Sequence, residues 1–152
     1  MKKTIRKILL VAAVLFLLIQ IYQPARNSDK GQVSSSHFER SYTIPSGVQS
    51  ILQNSCYDCH SNNTDYPWYS YVQPVRILLE DHIKKGKEEL NFSEWGNYSQ
   101  RKQRNKLNGM AQQIKENEMP LPYYTIIHKN TVLSEKQKKG LITWINSINK
   151  DE

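Results

Sequence analysis

The only two cysteines of the chain stand three positions apart and are followed at once by a histidine, in the sequence CYDCH at positions 56–60. Two thiols at this spacing can add to the two vinyl groups on one edge of a porphyrin, and His60 then brings its imidazole to the iron. The arrangement of Cys56, Cys59 and His60 is the attachment sequence of c-type haem. It predicts one covalently bound haem c per chain, with His60 as an axial ligand.

Three other interpretations of the cysteine pair are weaker. A disulfide between Cys56 and Cys59 would close a loop too short to gain much entropy, and it would leave His60 without a role. A thioredoxin-like redox pair is typical of a βαβ setting, which the neighbouring sequence lacks. A zinc site requires two more ligands, and the chain has no second cysteine pair.

The second axial position of the iron has one favoured candidate. Met119 precedes Pro120 in the segment EMPLP, between two predicted helices. A thioether is a soft, neutral ligand that favours ferrous iron, and the two prolines stiffen the loop that carries it. We therefore predict Met119 as the distal ligand. His128 is the rival ligand, and a vacant position is the third alternative.

The N-terminus combines a basic flank, MKKTIRK, with an unbroken apolar run at positions 8–19. Such a segment is either a cleaved secretory signal or a short membrane anchor. We predict that residues 1–26 form a signal segment or an uncleaved transmembrane anchor helix, and we favour the anchor. The remainder of the chain is then expected on the periplasmic side of the bacterial inner membrane.

The distribution of charge argues against a nucleic-acid-binding protein. The chain carries 21 basic and 14 acidic residues, for a formal net charge of +7. Five of the basic residues precede residue 27, and that segment has no acidic residue. The rest of the chain therefore has 16 basic and 14 acidic residues. A nucleic-acid binder is expected to show a basic face in its folded part.

Residues 27–41 are polar and rich in serine, which predicts a tether, and residues 42–150 are expected to form one helical domain. Four helices are predicted there, after Pro45, near Val75, near Ser99 and after Ser134. Gly86 is expected to end the second helix. Ser134 and Gln137 have the spacing of a capping box at the start of the fourth. A short strand is possible at positions 124–127.

Several other residues have a structural and a functional interpretation. An aromatic cluster follows the cysteine motif and either packs in a loop or forms a wall beside the haem; its members are Tyr66, Trp68, Tyr69 and Tyr71. Arg76 is either an exposed arginine or the partner of a haem propionate. The basic run at positions 100–108 is either a solvated helix face or a docking surface for an acidic redox partner.

From Pro45 to Ile148 the chain resembles the bacterial haem-binding domain family. The resemblance is carried by SCYDCHSNNTDYPWY, by QPV before a helix, by GKEELNFSEW, and by EMPLPYY with a following IH. It implies a small monohaem protein that is exported or tethered to a membrane. The order of helix, CxxCH, Met-Pro loop and C-terminal helix is also similar to that of class I c-type cytochromes, which implies an all-α fold.

These features together predict one-electron transfer by a membrane-tethered c-type cytochrome domain outside the cytoplasm. No acid and base pair accompanies the motif, so we do not expect an enzyme. The redox partner protein is unknown. The alternative function is a haem-based sensor, a gas-binding module or a peroxidase-like site, each of which requires an open iron position.

Overall fold

The computed structural model describes residues 1–149, and within that range the regular secondary structure is helical, which confirms the all-α prediction. The α-helices are α1 (Lys2–Ile19), α2 (Phe38–Ser41), α3 (Ser46–Ser55), α4 (Tyr57–His60), α5 (Val75–Glu89), α6 (Gln100–Lys115), α7 (Pro122–Ile127) and α8 (Glu135–Ile148). Three short 3-10 helices lie at Trp68–Tyr71, Phe92–Asn97 and Lys129–Thr131.

The N-terminal helix α1 differs from the predicted transmembrane helix. It ends at Ile19, and four of its 18 residues are basic and lie in its first six positions. Among residues 1–149 there is no helix with the length and apolar character that crossing a membrane requires. The transmembrane part of the prediction is therefore not supported.

The four helices predicted for the domain are all present as α3, α5, α6 and α8. The capping box at the start of α8 is formed as predicted: Gln137 donates its backbone N–H to Ser134 Oγ at 3.3 Å, and Ser134 donates its own N–H to Gln137 Oε1 at 2.9 Å. At α6 there is a single cap, in which Ser99 Oγ accepts the N–H of Lys102 at 3.4 Å. These two caps fix where the last long helices begin.

Two local predictions were wrong. Gly86 does not end α5, which continues to Glu89, because Gly86 lies where this helix packs closely on α4. Positions 124–127 form no strand, because Pro122 occupies the first turn of α7 and its fixed φ suits a helix start.

The hydrophobic core lies between α3, α6, α8 and the 3-10 helix at Phe92–Asn97. Its largest fully buried side chain is Trp95, and Phe38 packs edge-on against Trp95 with ring centroids 4.8 Å apart. Phe38 comes from the serine-rich segment that we predict as a tether. One end of that segment is therefore part of the core.

The rest of the segment before α2 is hydrogen-bonded to the loop that follows the cysteine motif. Asn27 Nδ2 donates to the carbonyl oxygen of Ser61 at 2.7 Å and to Thr64 Oγ1 at 2.9 Å. Ser28 forms an isolated antiparallel bridge with Asn63. The predicted tether thus lies along the domain and covers one side of the loop after the motif.

Candidate functional site

The cysteine motif lies at a break between two helices. Helix α3 ends at Ser55, and Cys56 leaves helical geometry with φ −128° and ψ −46°. The carbonyl oxygen of Cys56 then accepts the N–H groups of Cys59 at 3.2 Å and His60 at 3.0 Å, which closes the single turn of α4. This turn holds the three motif side chains at one end of α3.

Both motif cysteines are free, half-buried thiols. Burial raises the pKa of Cys56 to about 12, and the neighbouring Cys59 adds to the rise. Burial also raises the pKa of Cys59 to about 11, and the Asp58 carboxylate contributes. Reactive redox cysteines have lowered pKa values, so the environment of this pair is unlike that of a thioredoxin-type site.

His60 is held in one tautomer by the backbone. Its Nδ1 atom lies 3.0 Å from the carbonyl oxygen of Leu90. A carbonyl only accepts hydrogen bonds, so Nδ1 carries the proton and Nε2 keeps its lone pair. Burial lowers the pKa of His60, which favours the neutral imidazole. A neutral imidazole oriented by a hydrogen bond on its other nitrogen is the usual form of a histidine metal ligand.

The position of His60 depends on the close approach of α5 to α4. A Cβ atom built on Gly86 would lie 2.9 Å from the carbonyl oxygen of Cys59 and 3.5 Å from His60 Cε1. The backbone oxygen of Cys59 cannot swing aside as a flexible side chain could. Gly86 is thus required for packing at the motif, a role that its sequence context did not reveal.

A cavity of about 330 Å³ adjoins the motif. Its walls come from the motif, the end of α5, α6, the Met-Pro loop, the residues before α8 and the middle of α8. They are mostly apolar and include Cys56, His60, Met110, Met119, Leu133 and Leu141. Small-molecule pockets have volumes of about 300 to 1,000 Å³ and a similar apolar lining.

Met119 lines the same cavity as Cys56 and His60. Its backbone N–H donates to the carbonyl oxygen of Gln113 at 3.3 Å, which ties the Met-Pro loop to the last turn of α6. A second thioether, that of Met110 on α6, also lines the cavity. In the sequence Met110 belongs to the apolar stripe of a helix, so it gives no sign of being a candidate ligand.

His128, the rival ligand, lies on another side of the motif. Its Nε2 atom is hydrogen-bonded to the hydroxyl of Tyr69, and its ring stacks on Tyr124 with centroids 4.2 Å apart. Tyr124 donates its hydroxyl to Asp58 Oδ2 at 3.1 Å. His128 does not line the cavity that holds His60 and Met119. Within residues 1–149 no three His, Cys, Asp or Glu side chains form a group that could hold a metal ion.

The three tyrosines of the aromatic cluster and Arg76 contact the N-terminal segment or His128, Trp68 is exposed, and none of the five residues lines the cavity. Arg76 donates to the side chain of Gln23 and to the carbonyl oxygen of Pro24. The guanidinium of Arg26 lies over the ring of Tyr71, 4.2 Å from its centroid. The structure therefore does not bring the aromatic wall and the propionate partner considered from the sequence to the cavity.

The wall of the cavity on the side of α6 includes an exposed glycine. Gly109 lines it, and a Cβ atom built there would meet no other atom within 4 Å. Glycine inside a helix costs about 1 kcal/mol relative to alanine, yet no protein contact requires it at this position. Cys56, His60 and Met119 line the cavity, and Cys59 belongs to the same turn of the motif without lining it. These residues fit a haem held by the motif.

Comparison with known proteins supports a haem cofactor. A family model described as haem-binding domain matches residues 14–147, nearly the whole chain. No curated protein and no solved structure matches. The match covers α3, the cysteine motif, the Met-Pro loop and nearly all of α8. The chain belongs to the haem-binding domain family, and the cofactor of this domain is haem.

Proposed function

We propose that the protein is a monohaem c-type cytochrome domain of the class I kind that transfers single electrons. In this proposal Cys56 and Cys59 hold the haem through thioethers, His60 is the proximal ligand and Met119 is the distal ligand. The observation that carries it is the arrangement of His60. Its Nδ1–H donates a hydrogen bond to the carbonyl oxygen of Leu90, and His60 lines the same cavity as Cys56 and Met119.

The motif thiols suit an addition reaction better than a redox reaction. Each thiol adds its sulfur to one carbon of a vinyl group and its hydrogen to the other, so no oxidant or reductant is consumed. The raised pKa values of Cys56 and Cys59 keep both thiols protonated at neutral pH. Protonated thiols resist oxidation to a disulfide, so the pair stays available for attachment.

When bound, the haem supplies a one-electron couple between ferric and ferrous iron. The mostly apolar lining of the cavity would limit contact of the haem with water, and the Met119 thioether would favour the ferrous form. If His60 and Met119 both bind the iron, they would keep small ligands off the metal. We assign no catalytic residue, and we propose that the protein is not an enzyme.

We propose that the haem domain works on the outer side of the bacterial inner membrane. The basic flank and the apolar run of α1 are typical of a segment that directs export, and c-type haem is attached outside the cytoplasm. The apolar side chains of α1 are exposed, which suits contact with the membrane. The partner is expected to be another redox protein.

Optical spectroscopy of the purified haem-loaded protein tests this function. A low-spin ferric spectrum with a methionine-to-iron charge-transfer band, and a ferrous form that does not bind carbon monoxide, is expected for six-coordinate electron transfer. A high-spin ferrous form that binds carbon monoxide readily would overturn the proposal. That result would favour the sensor or gas-binding alternative instead.

A further inference from the structure

One lysine of the basic run on α6 does not lie on the solvated face of the helix. Arg101 and Lys102 are exposed, as expected for that run. Lys106 is different, because its side chain is only 26% exposed and lines the cavity beside the motif. A long cationic side chain directed to a mostly apolar cavity requires an explanation.

The acid that Lys106 contacts does not account for its position. Lys106 Nζ lies 3.7 Å from Glu89 Oε2, and the Glu89 side chain is 84% exposed. Such an exposed ion pair contributes little, about 0–1 kcal/mol. In the described part of the chain, no other acidic side chain comes within 4.0 Å of this ammonium. A partly buried ammonium is stabilised when a second anion lies close to it.

We propose that Lys106 is the counter-charge of a haem propionate, with Gln113 as a second polar group for the same end of the haem. Gln113 follows Lys106 by seven positions on α6, so both lie on one face of the helix, and both line the cavity. This inference rests on the proposed function, because it requires the haem to occupy this cavity.

The attachment chemistry agrees with this assignment. The vinyl and propionate groups of haem lie on opposite edges of the porphyrin. The thiols lie on α4 and the turn before it, whereas Lys106 and Gln113 belong to α6, which packs against α8. A ring bonded to the motif would direct its carboxylates away from the thiols, and Lys106 and Gln113 are polar groups on the cavity wall that could receive them.

Among residues 1–149, no other cationic side chain lies on the cavity wall. Arg76, the candidate considered from the sequence, is hydrogen-bonded to Gln23 and Pro24 in the N-terminal segment. Among the described residues that line the cavity, Lys106 is the one that carries a permanent positive charge. A propionate in the cavity therefore has Lys106 as its cationic partner.

A fixed positive charge beside the haem affects its redox equilibrium. Reduction adds one negative charge to the cavity, so Lys106 favours the ferrous form by Coulomb attraction. Removing this charge is expected to lower the equilibrium constant for reduction by about fivefold, from the attraction of two charges about 10 Å apart in a partly hydrated site. The axial ligands stay the same, so the charge-transfer band is expected to be unchanged.

The test compares reduction potentials of the haem-loaded full chain carrying Lys106→Gln or Lys115→Gln. Lys115 is an exposed lysine on the same helix, so its replacement makes the same charge change away from the cavity. The proposal expects an approximately fivefold lower equilibrium constant for reduction in Lys106→Gln, an unchanged value in Lys115→Gln, and recovery in Lys106→Arg. An equal potential in Lys106→Gln and wild type would overturn it.

A second variant and the haem content of the wild type distinguish failure of the Lys106 role from failure of the proposed function. If Lys106→Gln does not fold, Lys106→Met keeps the apolar stem and removes the charge, and the same shift is required of it. A wild-type protein without covalent haem would contradict the proposed function itself. A haem-loaded Lys106 variant with an unchanged potential would contradict the role of Lys106 alone.

Discussion

The Nδ1 atom of His60 and the carbonyl oxygen of Leu90 are 3.0 Å apart. Leu90 immediately follows α5, and its own N–H is bonded to the carbonyl oxygen of Gly86 at 2.8 Å. The end of α5 thus positions the acceptor that orients the imidazole. Because this acceptor is a backbone atom, it fixes the histidine tautomer without a second functional side chain. Nε2 then keeps the lone pair that the proposed iron ligation requires.

Replacing Gly86 with alanine is expected to destabilise the protein by about 1–3 kcal/mol, because the new methyl group would overlap the carbonyl oxygen of Cys59. Gly140→Ala is the matched control. Gly140 lies inside α8 with nothing within 4 Å of a built Cβ, so alanine there is expected to be neutral or stabilising by up to about 1 kcal/mol. Urea unfolding measures both, and equal stabilities for the two variants would refute the close contact.

Met119→Ala is expected to remove the methionine-to-iron charge-transfer band and to lower the equilibrium constant for reduction by about tenfold or more, since the thioether favours ferrous iron. Met110→Ala is the control, because Met110 lines the same cavity. It is expected to keep the band. Loss of the band in Met110→Ala but not in Met119→Ala would assign the distal position to Met110.

His37 makes the stability depend on pH. Burial is the main cause that lowers its pKa from 6.5; Arg40 also lowers it, whereas Glu39 raises it. The unfolded chain therefore binds a proton more readily than the folded chain. The contribution of His37 to the free energy of unfolding is complete above about pH 6.5 and decreases as the pH drops below that value. His37→Asn keeps an acceptor for the Glu39 N–H but does not titrate.

The measurement is urea unfolding of wild type and His37→Asn at pH 8 and pH 5.5. Wild type is expected to lose more stability than the variant between the two values. An identical loss in both proteins would show that His37 does not contribute to the pH dependence. The comparison cancels the contributions of other titrating groups, which the two proteins share.

Asn27→Ala is expected to destabilise the protein by about 1–3 kcal/mol, because it removes hydrogen bonds to Ser61 and Thr64 and to the ammonium of Lys87. The segment before α2 would then be cleaved faster in limited proteolysis. Val33→Ala is the control, since this side chain is exposed and its loss is expected to change little. Equal cleavage rates in wild type and Asn27→Ala would mean that the segment is a free tether.

The local features of the fold could be predicted from the sequence because each depends on residues that are close along the chain. The capping box of Ser134 and Gln137 spans four positions, and the apolar stripes of α6 and α8 repeat with the helical period. The cysteine motif is also local, since five consecutive residues contain both thiols and the histidine. All of these elements are where we predict them.

Contacts between distant segments could not be predicted from the sequence, because they do not depend on residues that are close along the chain. Phe38 stands alone among polar residues and shows no periodicity, yet it packs against Trp95, 57 positions later. Gly86 resembles a helix stop, and only the approach of α4 shows why a side chain is excluded there. Lys106 looks like its basic neighbours, because the sequence does not show which side of α6 faces the cavity.

The central claim is that Cys56 and Cys59 hold the haem covalently. The most direct measurement is haem staining of the full-length protein after denaturing electrophoresis, using a host that attaches c-type haem, alongside the Cys56→Ala/Cys59→Ala double variant. We predict a stained band at the mass of the wild-type chain and no stain in the variant. Unstained wild-type protein, with its haem extracted by acidified acetone, would contradict the account.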